Sequence, residues 1–272
     1  MSLATQNIQL KGLIVGFICV GTVLLLAVPA YKWAGWGILV TTGLYLWTQQ
    51  QQRFARHMLI LVSCLFLLGL TPINTDVSPR HMLAMGSVLA VVVALPYLIM
   101  SRLYHEKVIA FPWNVNLRWG RKEMGYLALA GVLSYLLLPY YLYQTGSYMN
   151  WDVGMSLGQL VRLFIGTNAL GIWDELFFVG VCLALLRQHL PFMWANIAQA
   201  VLWTAFLYEL GFRGWGPLVV FGLALSQGYI FKVSKSLSYI IAVHLTVDLV
   251  LFLALVHLHN PQYVRIFITS PL

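Results

Sequence analysis

Apolar runs of membrane-spanning length recur from Gly12 to Leu258, and no other feature of this 272-residue chain restricts its folding so strongly. Each run is near the ~20 residues that an α-helix needs to cross a hydrocarbon core. No water reaches the backbone there, so each run must satisfy its own N–H and C=O groups as a helix. The pattern predicts spans at roughly 12–31, 34–48, 58–73, 82–103, 125–144, 160–187, 193–210, 215–231 and 237–258. That is an all-α membrane protein, a polytopic transmembrane helix bundle of about eight or nine helices. Composition agrees: 60% of residues are hydrophobic, 9% are charged and the mean hydropathy is +0.81, whereas a soluble domain is about 25% charged.

Charge gives the orientation. With the N-terminus inside, the inner face collects Lys11, Arg53, Arg56, Arg102, Lys107, Arg118, Arg121, Lys122, Arg187, Lys232 and Lys235. Lys32, Arg80, Arg162, Arg213 and Arg265 remain outside, so the positive-inside rule favours N-in, C-out. The first segment has a second reading: Lys11, an apolar run and Ala27-Val28-Pro29-Ala30 also fit a signal peptide. The net charge of +8 forms no basic tract interleaved with aromatics, which argues against a nucleic-acid partner. Cys19, Cys64 and Cys182 all fall inside apolar runs and read as packing residues, neither disulfides nor thiolate ligands.

One long polar connection, 105–124, mixes basic residues with Trp113 and Trp119, a composition suited to an inner-leaflet interface and its anionic lipid. It separates N-terminal helices and inner-face loop (1–124) from a core (125–272) without a Gly/Ser linker or an internal repeat. The two parts read as a single domain. The expected setting is a multi-pass bacterial inner (plasma) membrane.

Of eight acidic residues, Asp76, Glu106, Glu123 and Asp152 lie in loops or at helix ends. The other four, Asp174, Glu175, Glu209 and Asp248, lie within apolar segments. An acid at a helix centre costs roughly 2.5–3.5 kcal/mol even on the lenient insertion scale, so these positions call for a functional reason. His244 precedes Asp248 by four residues, which puts imidazole and carboxylate on one helical face. Asp174 and Glu175 diverge by about 100° on an α-helix, so only one is expected to point straight at a shared centre while the other serves as support or faces elsewhere. Glu209 has two readings, a site residue or an interfacial partner of Arg213 at i+4. One imidazole cannot neutralise four carboxylates; if they share a cavity, either several are protonated or a cation sits among them.

The run Asp174-Glu175-Leu176-Phe177-Phe178-Val179-Gly180, followed by His244-Leu245-Thr246-Val247-Asp248, resembles the CAAX-protease and bacteriocin-processing (Abi) family of intramembrane proteases, over about residues 160–252. Its motifs are Glu-Glu-x-x-x-Arg, Phe-x-x-x-His and His-x-x-x-Asn/Asp on three helices. The resemblance implies a glutamate-dependent metalloendopeptidase that cuts a membrane-associated peptide or protein. It implies catalytic roles for Asp174, Glu175, His244 and Asp248, and a divalent metal, zinc, held by His244 and the second-motif residue. This chain departs from the pattern: Val179 stands at the arginine position, Ala205 at the phenylalanine, and Glu209 at the histidine, with Tyr208 as an alternative register. With Glu209 as ligand, the metal preference is expected to move toward manganese or iron. Two rival readings are a catalytically degenerate binding or immunity scaffold and a cation or proton transporter.

Overall fold

The computed structural model describes residues 3–113 and 119–269, with side chains in the first helix from Ile8 onward. Arg118, one of the inner-face cations of the orientation argument, lies outside the described residues. Among the described residues there are nine helices and no strand. They are α1 (Leu3–Leu26), α2 (Lys32–Thr48), α3 (Arg53–Leu70), α4 (Pro79–Leu103), α5 (Arg121–Thr145), α6 (Leu157–Leu186), α7 (Phe192–Glu209), α8 (Gly216–Ser234) and α9 (Leu237–His259). Every expected span has its helix, and the chain is an integral multi-pass membrane protein. Seven of the nine are long and apolar enough to cross a bilayer. The other two are α2, with only 17 residues, and α7, which carries Asn196, Gln199 and Glu209 along its length.

Local chemistry sets several boundaries. Ser78, Ser156 and Ser236 cap α4, α6 and α9 by accepting the backbone N–H three residues on, at 3.4, 3.4 and 3.2 Å. Small residues bring helices together: a Cβ at Gly35 would stand 2.5 Å from the Leu25 nitrogen, so the α1–α2 hairpin closes only on glycine. The central element is α6, whose apolar window is 72% buried against 22–33% for α1, α4, α5 and α8. It packs against α4, α7, α8 and α9.

The connection after α4 is more than an interfacial loop. Ile109 is buried, a Cβ at Gly180 would meet the Phe111 ring at 2.7 Å, and the Pro112 carbonyl accepts the Leu237 N–H at 3.1 Å. Glu106, expected to be simply solvated, is ion-paired with Arg53 at 2.7 Å, Arg56 at 3.5 Å and His57 at 3.1 Å. His57 also meets His189 at 3.0 Å, which ties the inner end of α3 to the loop after α6. Burial pushes the Glu106 carboxyl up, but the Arg53 hydrogen bond and the charges of His57 and Arg53 outweigh it and hold it below its ordinary range. Burial, then the charges of His57, Lys11 and Arg53, hold His189 down at about 4. Trp119 packs on Tyr239 while Trp113 stays exposed.

Candidate active site

Midway along α6 the helix widens. Residues Leu157–Asp174 are α-helical, Glu175–Leu183 form a π-helix, and Ala184–Leu186 return to α. Widened turns of this kind recur at functional sites because they redirect side chains. Here the change begins at the Asp174–Glu175 pair, and both acids reach one imidazole from opposite edges. Glu175 Oε1 lies 2.9 Å from His244 Nδ1, and Asp174 Oδ2 lies 3.9 Å from Nε2. The two acids take different places: Glu175 lies against Nδ1, and Asp174 lies on the Nε2 side and lines a cavity.

His244 projects from the second turn of α9 and is buried, as are Asp174, Glu175 and Asp248. Asp248, one turn on, brings Oδ1 to 3.7 Å from His244 Nε2. Trp203 of α7 stacks on the imidazole at 5.5 Å with 25° between planes. Gly171, one turn before Glu175, makes the approach of α9 possible, since a Cβ there would overlap the Asp248 carboxylate at 1.9 Å. Glu175 Oε1 accepts a second hydrogen bond, at 2.6 Å, from Gln227 Nε2 of α8. Oε1 can accept from a His244 Nδ1–H as well as from Gln227, and in that tautomer Nε2 carries the lone pair and faces Asp174 and Asp248.

Asp174 Oδ1, Glu175 Oε2 and Asp248 Oδ2 are buried and form no hydrogen bond within the chain. Three carboxylates face one imidazole, so they can be stably buried only by holding protons or by meeting a polar ligand. Asp174, His244 and Asp248, without Glu175, line a cavity of about 70 Å³ with Gly171, Thr167 and Trp151. It has room for at least one water, which needs about 10–15 Å³. A second, mainly apolar cavity of about 290 Å³ lies between α4 and α6 and shares Trp151, Thr167 and Leu170 with the first. Its polar rim is Asn74–Val77 and His81, at the end of the bundle opposite the inner basic cluster.

Glu209 does not join this group. It ends α7, half-buried, and the charges that act on it are those of Lys32 and Arg213. The α7 residue stacked on His244 is Trp203, six positions earlier and so about 9 Å back along the helix axis, and Leu207 lines the cavity while Glu209 does not. The 35-residue spacing from Glu209 to His244 permitted convergence, but α7 runs on past the site as a continuous helix. Tyr208 and Ala205 are likewise absent from the lining of the cavity that His244 faces. Among the described residues no group of three or more His, Cys, Asp or Glu side chains is arranged to hold a metal ion. Among the described residues the site has one imidazole, with Nδ1 against Glu175, and no second imidazole stands opposite. This donor set does not fit a metal held by two histidines.

Sequence reasoning missed Trp203, Gln227 and Gly171. Gln227 left a signal, a polar amide in an apolar helix; Trp203 and Gly171 left none, because an aromatic and a glycine are ordinary in membrane helices.

Residues 156–250, which include α6, α7, α8 and the first half of α9, match the model of the family described as type II CAAX prenyl endopeptidase Rce1-like. The resemblance read from the motifs thus holds over the segment that carries the site. Neither the curated proteins nor the solved structures gave a match.

Proposed function

We propose that this Rce1-like core is an intramembrane endopeptidase that hydrolyses a peptide bond of a membrane-associated substrate, in a bacterial inner membrane. The observation that carries the reading is the clamped imidazole: His244 Nδ1 held by Glu175 at 2.9 Å, with Nε2 turned into a cavity between two aspartates. A buried carboxylate on one ring nitrogen fixes the tautomer and orientation and stabilises the imidazolium that forms when the other nitrogen takes a proton. Nε2 then removes a proton from a water in the cavity, and the water oxygen attacks the scissile carbonyl. The gaps of 3.7 and 3.9 Å from Nε2 to the aspartates exceed a direct hydrogen bond and suit a bridging water. An aspartic acid in its protonated form donates to the carbonyl oxygen as negative charge develops there. The tetrahedral intermediate collapses as His244 returns its proton to the leaving nitrogen, giving one new carboxyl and one new amine. General base catalysis of this kind is worth about 10²–10⁴ in rate.

The apolar cavity between α4 and α6 gives a substrate segment a route to the reacting groups through Thr167 and Leu170. Purified protein in lipid nanodiscs, incubated with a library of membrane-anchored peptides, should release fragments that wild type generates and His244→Ala does not. The missing second imidazole and Val179 favour one alternative, a non-catalytic scaffold that binds the same segments. Retention of those peptides without any new termini would replace the hydrolytic reading with that one.

A further inference from the structure

Gln227 is buried on α8, outside all three motifs, yet it makes the shortest hydrogen bond at the site. We propose that Gln227 is a positioning residue that does the work of the arginine absent at position 179, holding Glu175 so that its carboxylate orients His244. The proposal rests on the hydrolytic reading for its catalytic consequence, although not for its geometry.

Both protons of the Gln227 amide are used: Nε2 donates to Glu175 Oε1 at 2.6 Å and to the Ile240 carbonyl at 3.0 Å. Turning the amide over would set its oxygen against two acceptors, so its orientation is fixed by its neighbours. Ile240 lies four residues before His244, so its carbonyl belongs to the turn of α9 from which the imidazole projects. One side chain thereby ties α6, α8 and α9 together at the atom that receives the His244 proton. Around it α8 is held to α7 by further amides: Asn196 donates to the Leu225 carbonyl, and Gln199 to that of Ala224, each at 2.9 Å. Gly228 leaves the room for Asn196, since a Cβ there would stand 1.9 Å from its side-chain oxygen.

Electrostatics explains why an amide serves here. Val179, one turn beyond Glu175, is fully buried among apolar side chains and supplies no charge. A guanidinium in that place would share the charge of Glu175 and weaken its pull on an imidazolium. A neutral N–H donor fixes the carboxylate and leaves its full charge to act on His244.

The test uses full-length protein in nanodiscs and two substitutions. Gln227→Met keeps the length and loses the donor: kcat should fall about a hundredfold, within the range for a misoriented catalytic base, with KM within about twofold. In ¹⁵N-histidine-labelled protein the His244 signal should change from a single Nδ1–H tautomer to a mixture. Gln227→Glu should work at acid pH, where the introduced carboxyl carries the proton that it donates to Glu175, and lose rate as pH rises and it ionises. The titratable groups around it are Glu175, which it contacts, His244, Asp174 and Asp248 of the same cluster, and Tyr126 of α5, which is bonded to Ser226 and feels the charge of Glu175. Gln227→Met with unchanged kcat and an unchanged His244 spectrum overturns the proposal. A Gln227→Glu pH profile parallel to wild type overturns it too, and serves should the methionine variant not fold. If wild type cleaves nothing, the hydrolytic reading fails, while the His244 spectrum still decides whether Gln227 sets the ring.

Discussion

Gly171→Ala tests the site geometry through a single methyl group. The added Cβ would stand 1.9 Å from Asp248 Oδ2, 3.0 Å from its Cγ and 2.9 Å from His244 Cδ2, where ordinary contact begins at 3.4 Å. The carboxylate must therefore retreat by about 1.5 Å. Displacement of a reacting group by about 1 Å can cost on the order of a hundredfold in rate, so a loss of at least that size is expected in kcat. Overpacking should cost about 1–3 kcal/mol of stability, most of it avoidable because the end of a short side chain can turn away. Activity should thus fall much further than stability. Gly222→Ala, on an exposed stretch of α8 with nothing within 4 Å of its Cβ, is the control. The assays are peptide hydrolysis and thermal unfolding in the same nanodiscs. If Gly171→Ala and Gly222→Ala have the same kcat, Asp248 does not stand against α6 as described, and the reasoning fails.

Glu175→Gln should leave the protein inserted and folded while cutting kcat by about 10³–10⁴, as loss of the orienting carboxylate does in a triad; a kcat within tenfold of wild type would remove Glu175 from its role. Glu209→Ala should leave hydrolysis and bound metal unchanged, because Glu209 is a full six residues beyond the α7 position that meets His244; a tenfold loss would return it to the site. A C-terminal tag should be labelled in intact cells, and labelling only after permeabilisation would refute the N-in, C-out orientation. Acid should destabilise the inner-face cluster for two reasons that share a sign. Glu106 is held below 4.5, so its contribution is present above that pH and is lost as pH falls through its folded value. His189 is held at about 4 against 6.5, so the unfolded chain takes a proton that the fold resists as pH drops between those values. Melting temperature should therefore decrease from pH 7 to about 4, less steeply in His189→Asn; a flat profile, or equal slopes in the two proteins, would contradict this.

The bundle was legible in the sequence because the bilayer imposes one rule on every segment: enough consecutive apolar residues must form a helix that satisfies itself. All nine helices followed from that rule, and so did the oddness of Asp174, Glu175 and Asp248, since an acid within an apolar run is costly wherever the run is placed. The His244–Asp248 pair was readable too, because residues four apart on one helix are neighbours whatever the rest of the chain does. Relations between helices were not. Glu209 met the spacing argument and still lies apart, because spacing bounds how far a chain can reach and says nothing of where a continuous helix stops. That Asp174 and Glu175 both come within 4 Å of one ring depended on where α9 sets His244 against α6, and the meeting of two helices leaves no mark on hydropathy. The partner of Glu175 is not a residue one turn away but Gln227, 52 positions on, from a helix that the motifs pass over. Sequence alone determined that this chain is a membrane bundle with costly acids inside it, since hydropathy and charge act residue by residue. Only the packing of α6, α8 and α9 decided which acid holds the imidazole and which face the cavity, because those distances depend on how separate helices meet.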